Sequence, residues 1–358
     1  MCRLPLAGAA PACSLACAVL LSAGAARADA VSAQQLSLLQ QFNLIDLGNL
    51  QASSDIEGRA FVAGNMSGNG FSMGVAGKVT ASPAGYNTLI VDGSATTGGI
   101  NIGTGGFTVG GNANSLEANS AAGAVSTVAG NVTGNTAVNG GTLHYGGSFS
   151  GNFNGSGSKT QVTGLSSDPL PASTFAPLQG LSATLAGLAP SGTVSMVSGT
   201  ATFVAAPGAS GYAVFDVDAG VASQIFDANG FAFDLGTATS AIINVSGADT
   251  ITDMTNFNDS SLAPSLLWNF IGTTTLDLDR EFNGTILADD ATVTNETQIN
   301  GTLLAANANL DGELHSTPYA GGLPDGGSSQ PVPEPADGAV LGIGLLGLVA
   351  VRRGRSGR

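Results

Sequence analysis

A short repeat in the body of the chain limits its fold more than any other feature. One phrase of a large residue, a small residue, Gly and then Asn or Ser recurs five times, and its glycines are separated by 29, 18, 19 and 17 residues: Gly64, Gly93, Gly111, Gly130 and Gly147. A second phrase, Asn-Gly-Thr-x-Leu-Ala, occurs at 283–288 and returns 17 residues later at 300–305. Two unrelated phrases therefore share a spacing of 17–19 residues.

A unit this short cannot bury its own apolar face, so it must stack on its neighbours. Alternating β-branched residues and Gly-Asn turns favour strands, as in residues 55–62, where Asp55, Glu57 and Arg59 fall on one side of the strand and Ile56 on the other. These patterns predict a mainly β fold, a β-solenoid (β-helix) with coils of about 17–19 residues. The alternative interpretation of 53 glycines, a flexible linker, predicts no such register.

The repeat is interrupted at about 168–190. Four leucines there have spacings of 3, 4 and 3: Leu178, Leu181, Leu185 and Leu188. They predict an amphipathic α-helix, capped by Ser173 or Thr174 and packed along the side of the coils. Strand-like runs resume at 213–217, 231–235, 241–245, 266–270 and 276–278.

The N-terminus has the pattern of a secretory signal peptide. Arg3 precedes an apolar run and two Ala-x-Ala sites that end at Ala28 and Ala30. We predict a signal peptide at 1–30, a solenoid body at 31–322, a flexible stalk at 323–335 and a C-terminal membrane or sorting segment at 336–358. All three cysteines lie within 1–30, so the mature chain is expected to form no disulfide.

The C-terminus combines a short motif, an apolar run at 339–351 and a basic end. The motif is Val332, Pro333, Glu334 and Pro335, and this arrangement resembles the PEP-CTERM sorting signal of Gram-negative bacteria. The resemblance implies transient inner-membrane anchoring followed by cleavage by an exosortase-type enzyme. An ordinary tail anchor is the alternative interpretation.

The body resembles the choice-of-anchor A domain. The resemblance rests on residues 54–66, on the doubled Asn-Gly-Thr-x-Leu-Ala phrase, and on residues 312–315 with 318–321. It covers nearly all of the mature body and departs from the family pattern at Ala63, where a second Gly is expected. It implies surface display, is compatible with adhesion, and gives no catalytic residue to carry over.

Charge excludes one class of partner. Residues 31–331 contain 22 acidic and four basic side chains, a net charge of −18. Nucleic-acid binding depends on basic groups that neutralise phosphates, so no nucleic-acid partner is expected.

Candidate catalytic and metal-binding groups are weak. Ser72 lies in a Gly-x-Ser-x-Gly match that lacks the helix such a nucleophile needs, and His144 and His315 are the two histidines of the chain. Residues 155–160 have Ser158 where a phosphate loop requires Gly. Acidic groups at 216/218, 277/279/281 and 289/290 are interpreted as solvated surface acids, with calcium binding as the alternative. We therefore expect no catalytic residue, cofactor or metal.

Together these features predict an exported, non-enzymatic protein of the cell surface or extracellular matrix, adhesive or structural, whose partner is a glycan or a matrix protein. One alternative is an ice-binding-like solenoid, suggested by the Thr-x-Thr triplets at 250–252 and 292–294. These triplets do not recur at the 17–19 residue spacing, which argues against a flat threonine face. The other alternative is an extracellular polysaccharide-degrading β-helix enzyme that would use Arg280 beside Asp279 and Glu281.

Overall fold

The computed structural model describes residues 33–206, 209 and 211–324, and strands dominate it. Its helices are α1 (33–41), α2 (Ala176–Ala186) and α3 (Ala219–Ile225), with 3-10 turns at Ala172–Phe175 and Ser260–Ser265. The strands in these residues are β1 (Leu44–Asp46), β2 (Leu50–Ala52), β3 (Ala60–Val62), β4 (Met66–Gly68), β5 (Phe71–Met73), β6 (Leu89–Val91), β7 (Ala95–Ile102), β8 (Phe107–Val109), β9 (Ala113–Asn119), β10 (Val125–Val128), β11 (Val132–Asn139), β12 (Thr142–Tyr145), β13 (Phe149–Asn154), β14 (Ser158–Gln161), β15 (Gly192–Val197), β16 (Thr200–Ala205), β17 (Gly211–Val217), β18 (Gly230–Asp234), β19 (Ala238–Ser246), β20 (Thr250–Asp253), β21 (Leu266–Ile271), β22 (Thr275–Leu278), β23 (Phe282–Asn283), β24 (Thr285–Asn295), β25 (Ile299–Asn300), β26 (Leu303–Leu310) and β27 (Leu314–His315).

Parallel pairing winds these strands into a β-solenoid with three faces. Face A stacks β17, β19, β21, β24, β26, β1, β3, β6, β8, β10, β12 and β14 in that order. Face B stacks β20, β22, β24, β26, β2, β4, β7, β9, β11 and β13. Face C stacks β23, β25, β27, Ile56, β5, β7, β9 and β11. The long strands bend at a corner and contribute to two faces each.

The order of the coils in space differs from their order along the chain. The coils of residues 211–315 form one half of the stack, and those of residues 44–161 form the other. The last coil pairs with the first, because Leu304 in β26 lies opposite Ile45 in β1, which in turn lies opposite Phe61 in β3. The segment that carries α2 connects the two halves along the outside of face A.

Two of the helices cover face A where its outward side chains are apolar. The register partners Leu304, Ile45, Phe61 and Ile90 point outward and are buried in a cluster with α1 and α2. The next strand of the same row presents Thr108, which is half-buried. The outward residues of this row are therefore apolar where a helix covers the sheet and polar at the next strand.

Buried amides fix α2 on face A. Ser182 Oγ donates to Asn269 Oδ1 at 2.6 Å, Asn269 Nδ2 donates to Asn244 Oδ1 at 3.0 Å, and Asn244 Nδ2 donates to the Leu185 carbonyl at 2.8 Å. Each buried side-chain polar group of this network has a hydrogen-bond partner. The network therefore favours one docking position of α2 on face A.

Large aromatic residues fill the coils at the end of the stack formed by residues 211–315. Trp268 is fully buried there, and its indole N–H donates to the Asn283 carbonyl at 3.1 Å. The small sheet of β15, β16 and β18, together with α3, closes this end. Phe203 on β16 stacks on Phe233 with ring centroids 4.6 Å apart.

The predicted fold is confirmed. Ile286 and Leu303 are register partners and are both fully buried, as the shared phrase requires. Leu178, Leu181 and Leu185 are buried on α2, which packs along the side of the coils.

The predicted helix cap is wrong. Ser173 and Thr174 lie in the 3-10 turn, and Phe175 occupies the N-cap position without a side-chain cap. Its ring packs between Phe42 and Phe61, with centroids 5.2 and 4.5 Å away, so burial of an aromatic ring sets the start of the helix.

Candidate functional site

The repeated glycines stack at the corner between faces A and B. Each donates its N–H to the carbonyl of the glycine one coil below, as in Gly111 to Gly93 at 2.8 Å and Gly130 to Gly111 at 2.9 Å. A Cβ atom on Gly130 would lie 2.6 Å from the carbonyl oxygen of Gly111, closer than side chains approach. The glycines are therefore required for the close approach of successive coils.

The residue after each glycine forms a ladder on the same corner. Asn112 Oδ1 accepts from the N–H of Asn131 at 2.8 Å, and Asn131 Oδ1 accepts from the N–H of Ser148 at 2.8 Å. The ladder also crosses the join between the two halves of the stack, where Asn307 Oδ1 accepts from the N–H of Asn49 at 3.0 Å. The corner holds neighbouring coils in register and keeps face B regular.

Face B presents a straight row of outward polar side chains over ten strands. The row consists of exposed or half-buried residues in register: Thr252, Asp277, Thr294, Asn309, Gln51, Ser67, Thr96, Asn114, Thr133 and Ser150. At about 4.8 Å per strand the row is about 43 Å long. It contains one charged side chain, that of Asp277.

A second row on face B brings the threonine triplets together. Thr250 lies opposite Thr275, which lies opposite Thr292, and Thr252 and Thr294 flank Asp277 in the first row. The triplets share face B although they do not recur at the 17–19 residue spacing, because the coil between Thr250 and Thr275 has 25 residues. The longer coil still returns the chain to the same register.

A groove opens at the corner between faces B and C. Strands β7 and β9 pair on both sides of this corner. Between the paired positions β7 has three residues, 97–99, whereas β9 has Ser115 alone. Ser115 adopts the left-handed conformation, with φ 55°, to close this short turn. The depression above it has a volume of about 420 Å³ and is lined by residues of β5, β7, β9 and β11.

Face C carries a connected network of amides and acids. Glu281 accepts from Gln298 and Asn300 at 2.9 Å, and Asn300 Nδ2 also donates to Asn283 Oδ1 at 2.8 Å. His315 bridges the network, with Nδ1 2.7 Å from Asn300 Oδ1 and Nε2 2.8 Å from Glu313 Oε2. This is the edge hydrogen bonding that a structural histidine makes.

The candidate catalytic residues are not brought together. Ser72 lies on β5 beside the groove, and no hydrogen bond joins its Oγ to either histidine within the described residues. His144 lies on β12 of face A, and His315 on β27 of face C. Residues 155–157 form a corner of the solenoid, where Gly157 N–H donates to the Val138 carbonyl at 2.8 Å, and residues 158–160 begin strand β14 of face A.

The acidic pairs mostly have structural partners. Asp218 caps α3 by accepting from Val221 N–H at 2.9 Å, and Asp216 accepts from Asn244 Nδ2 at 3.3 Å. Asp289 and Asp290 lie on β24 between its face A and face B segments, and burial raises the pKa of Asp289, with repulsion from Asp290 adding to it. In the part of the chain that the structure describes, no three His, Cys, Asp or Glu side chains are grouped so as to hold a metal ion.

Three other aspartates have strongly raised pKa values. Burial raises the pKa of Asp46 to about 7, against the opposing effect of N–H groups of Gly48 and Ala308. Burial likewise raises the pKa of Asp253 to about 7, and one of its carboxylate oxygens has no hydrogen-bond partner among the described residues. The pKa of Asp92 is also about 7, first because of burial and further because Asp168 lies beside it. The sequence pattern did not single out these residues.

Several predictions fall on residues outside the described part of the chain. They are the signal peptide at 1–30, the sorting motif Val332 to Pro335 and the segment at 336–358. Within residues 33–324, apart from the gaps noted above, no helix combines the length and hydrophobicity needed to cross a bilayer.

The geometry defines a class of protein: a parallel β-solenoid with a discontinuous coil order, a helix-covered face and a flat polar face. A family described as "Putative Ice-binding-like adhesive domain" matches residues 35–127 and 95–316. The match covers more than half of the chain, so the chain belongs to this family.

Other comparisons are more distant. The crystal structure of an ice-binding protein from the Antarctic ascomycete Antarctomyces psychrotrophicus matches with 18% sequence identity and a TM-score of 0.23. The match covers 59% of this chain and 93% of that protein. No curated protein matches the sequence.

Proposed function

We propose that this chain is an exported, non-enzymatic surface protein whose solenoid body adheres to an extended target through face B. The observation that carries the proposal is the row of outward polar side chains held in register over ten strands of that face. The adhesive description of its family supports the same conclusion.

A flat, regular array suits adhesion better than catalysis. Each Thr, Ser, Asn or Gln side chain contributes a weak hydrogen bond, and the binding energy is spread over many coils rather than concentrated in two or three groups. The separation of Ser72 from both histidines supports the non-enzymatic part of the proposal, because a nucleophile needs an adjacent base. A polysaccharide-degrading activity is correspondingly less well supported.

Ice binding is the second candidate, and one observation favours it. Thr250, Thr275 and Thr292 are stacked in register, and Thr252 and Thr294 lie in the adjacent row of the same face. A regular hydroxyl array is what an ordered water layer would contact. Asp277 interrupts the first row between Thr252 and Thr294, and the rest of that row mixes amides and serines with two threonines, so adhesion to a hydrated solid or polymer is the leading proposal.

Bulky substitutions on face B test both candidates. Thr294→Tyr and Thr133→Tyr should each disrupt the flat surface, whereas Thr160→Tyr, on an exposed part of face A, is the matched control. We expect cells that carry either face B variant to attach less to glass and polysaccharide-coated plates than cells with the parent or the control. Equal attachment by all four proteins would refute the proposal for face B.

The same proteins separate adhesion from ice binding. Thermal hysteresis of the purified parent that disappears in Thr294→Tyr would make ice the target. Attachment without thermal hysteresis would leave adhesion as the function.

Export and processing are further parts of the proposal. We propose that residues 1–30 direct export, that the body is of the choice-of-anchor A type, and that an exosortase-type enzyme cleaves near Pro335 and releases or re-anchors the body. The support is the sequence motif Val332 to Pro335 with its apolar run and basic end. Intact-mass measurement of the surface protein tests this, because a product that retains Arg358 would contradict processing.

A further inference from the structure

The groove at the corner between faces B and C results from a difference in coil length. The β9 turn is shorter than the β7 turn below it and the β11 turn above it, where residues 134–136 lie between the paired positions. The floor at Ser115 is therefore recessed between two walls, with Gly98 and Gly99 on one side and Asn135 on the other. The left-handed backbone of Ser115 is held by hydrogen bonds, since its Oγ accepts from Asn135 N–H at 3.2 Å and donates to Asn114 Oδ1 at 3.0 Å.

Three side chains with free hydrogen-bonding capacity line this groove in a row. Ser72 lies opposite Asn101, and Asn101 lies opposite Glu117, on adjacent strands of face C about 4.8 Å apart. Among the described residues none of these three side chains has a hydrogen-bond partner. They offer a hydroxyl, an amide and a carboxylate, which can both donate and accept.

The charge of the lining selects the ligand. Glu117 is the one ionisable group among the described lining residues, and none of them is basic. An anionic ligand such as a phosphate or an acidic polysaccharide would be repelled in a body that is already strongly acidic. A neutral ligand rich in hydroxyl donors fits, because a carboxylate accepts strong hydrogen bonds from hydroxyl groups.

The size of the groove agrees with this chemistry. A volume of about 420 Å³ lies in the range of small-molecule sites. The side chains of Phe71 and Ile100 are buried in the core behind the groove, so the outward polar row supplies its binding surface. A single carboxylate does not supply the pair of acids that glycoside hydrolysis requires, so the groove is suited to binding rather than cleavage.

We propose that this corner groove binds a short stretch of a neutral, hydroxyl-rich glycan, with Glu117, Asn101 and Ser72 as its hydrogen-bonding groups. This inference rests on the proposed adhesive function, and it names the chemical class of one ligand and a site distinct from the rows of face B.

The test measures binding of soluble neutral oligosaccharides to the full chain. The probes are gluco-, manno- and galacto-oligosaccharides of two to six units, with oligogalacturonates as the acidic comparison, titrated by calorimetry and saturation-transfer NMR. We expect at least one neutral series to bind and the acidic series not to bind. Glu117→Gln should weaken binding at least about tenfold, because it removes hydrogen bonds to a charged acceptor. Asn101→Ala should weaken it in the same direction.

Two further variants make the result decisive. Glu296→Gln removes an exposed carboxylate from the same corner of another coil and should bind like the parent. Ser72→Trp should fill the groove and abolish binding while melting like the parent. Absence of binding to every neutral probe would overturn the proposal, as would unchanged binding by Glu117→Gln and Ser72→Trp.

The groove proposal and the face B proposal can fail separately. If Thr294→Tyr reduces cell attachment while no oligosaccharide binds, the groove proposal is wrong and the proposed function stands. If oligosaccharides bind through Glu117 while both face B variants attach like the parent, face B is not the adhesive surface.

Discussion

Replacing Gly130 by alanine should destabilise the solenoid, although the change adds one methyl group. The new Cβ would lie 2.6 Å from the carbonyl oxygen of Gly111 and 2.8 Å from its carbonyl carbon. Both are backbone atoms of the coil below, so the coils must separate. That movement weakens the hydrogen bond from Gly130 N–H to the same oxygen, now 2.9 Å long.

The cost combines overpacking, about 1–3 kcal/mol, with a weakened hydrogen bond of about 1 kcal/mol. A total of about 2–4 kcal/mol corresponds to a fall in Tm of roughly 4–8 °C for a domain of this size. Thermal unfolding followed by circular dichroism measures it.

The matched control is the same substitution at Gly180, an exposed position inside α2. A Cβ there would meet no atom within 4 Å, and alanine favours helices over glycine by about 0.5–1 kcal/mol. Gly180→Ala should therefore raise the Tm slightly. A Gly130→Ala protein that melts at or above the parent would refute the stacking argument for the repeated glycines.

Three other predictions follow from the same structure. Ile286→Asp and Leu303→Asp each place a carboxylate in the interior without a partner and should cost several kcal/mol, so melting like the parent would show that the register is wrong. Because burial and Asp168 raise the pKa of Asp92 to about 7, the folded state holds that proton more tightly than the unfolded state, and this contribution to the free energy of unfolding is lost as the pH rises from about 4 to about 7. Asp92→Asn should therefore flatten the dependence of Tm on pH over that interval, and identical profiles would contradict the assignment. Ser72→Ala and His315→Ala should leave any turnover of plant or bacterial polysaccharides unchanged, and loss of a measurable parental turnover in either folded variant would overturn the non-enzymatic proposal.

The interior of the solenoid was predictable because its signal is local. Stacked coils bury equivalent positions, so the spacing between two copies of Asn-Gly-Thr-x-Leu-Ala was enough to pair Ile286 with Leu303. The spacing of the leucines in α2 is also a local signal, and it predicted the buried face of that helix. Its cap was not predictable, because the start of the helix depends on the packing of Phe175 against residues more than 100 positions away.

The outward rows were not predictable from the spacing. Lateral neighbours on face B come from different coils whose lengths vary, so the 25-residue step from Thr250 to Thr275 hides a stacked pair. Other neighbouring pairs lie across the join between the two halves of the stack, where residues far apart in sequence pair, as Gln51 does with Asn309. The groove depends on a difference of two residues between the corners of β7 and β9, which no periodicity in a single chain reveals.

The discontinuous order of the coils also explains how face B stays accessible. Since the first coil pairs with the last, both ends of the body meet in the middle of the stack, where Gln40 Nε2 of α1 donates to the Tyr319 carbonyl at 3.2 Å. Tyr319 is fully buried among the residues that cover face A. The C-terminal part of the described body, at Tyr319, therefore lies on the helix-covered side of the solenoid rather than at one end of the stack. Helices α1 and α2 and Tyr319 cover face A, which leaves the length of face B free for the adhesion through many weak contacts that we propose.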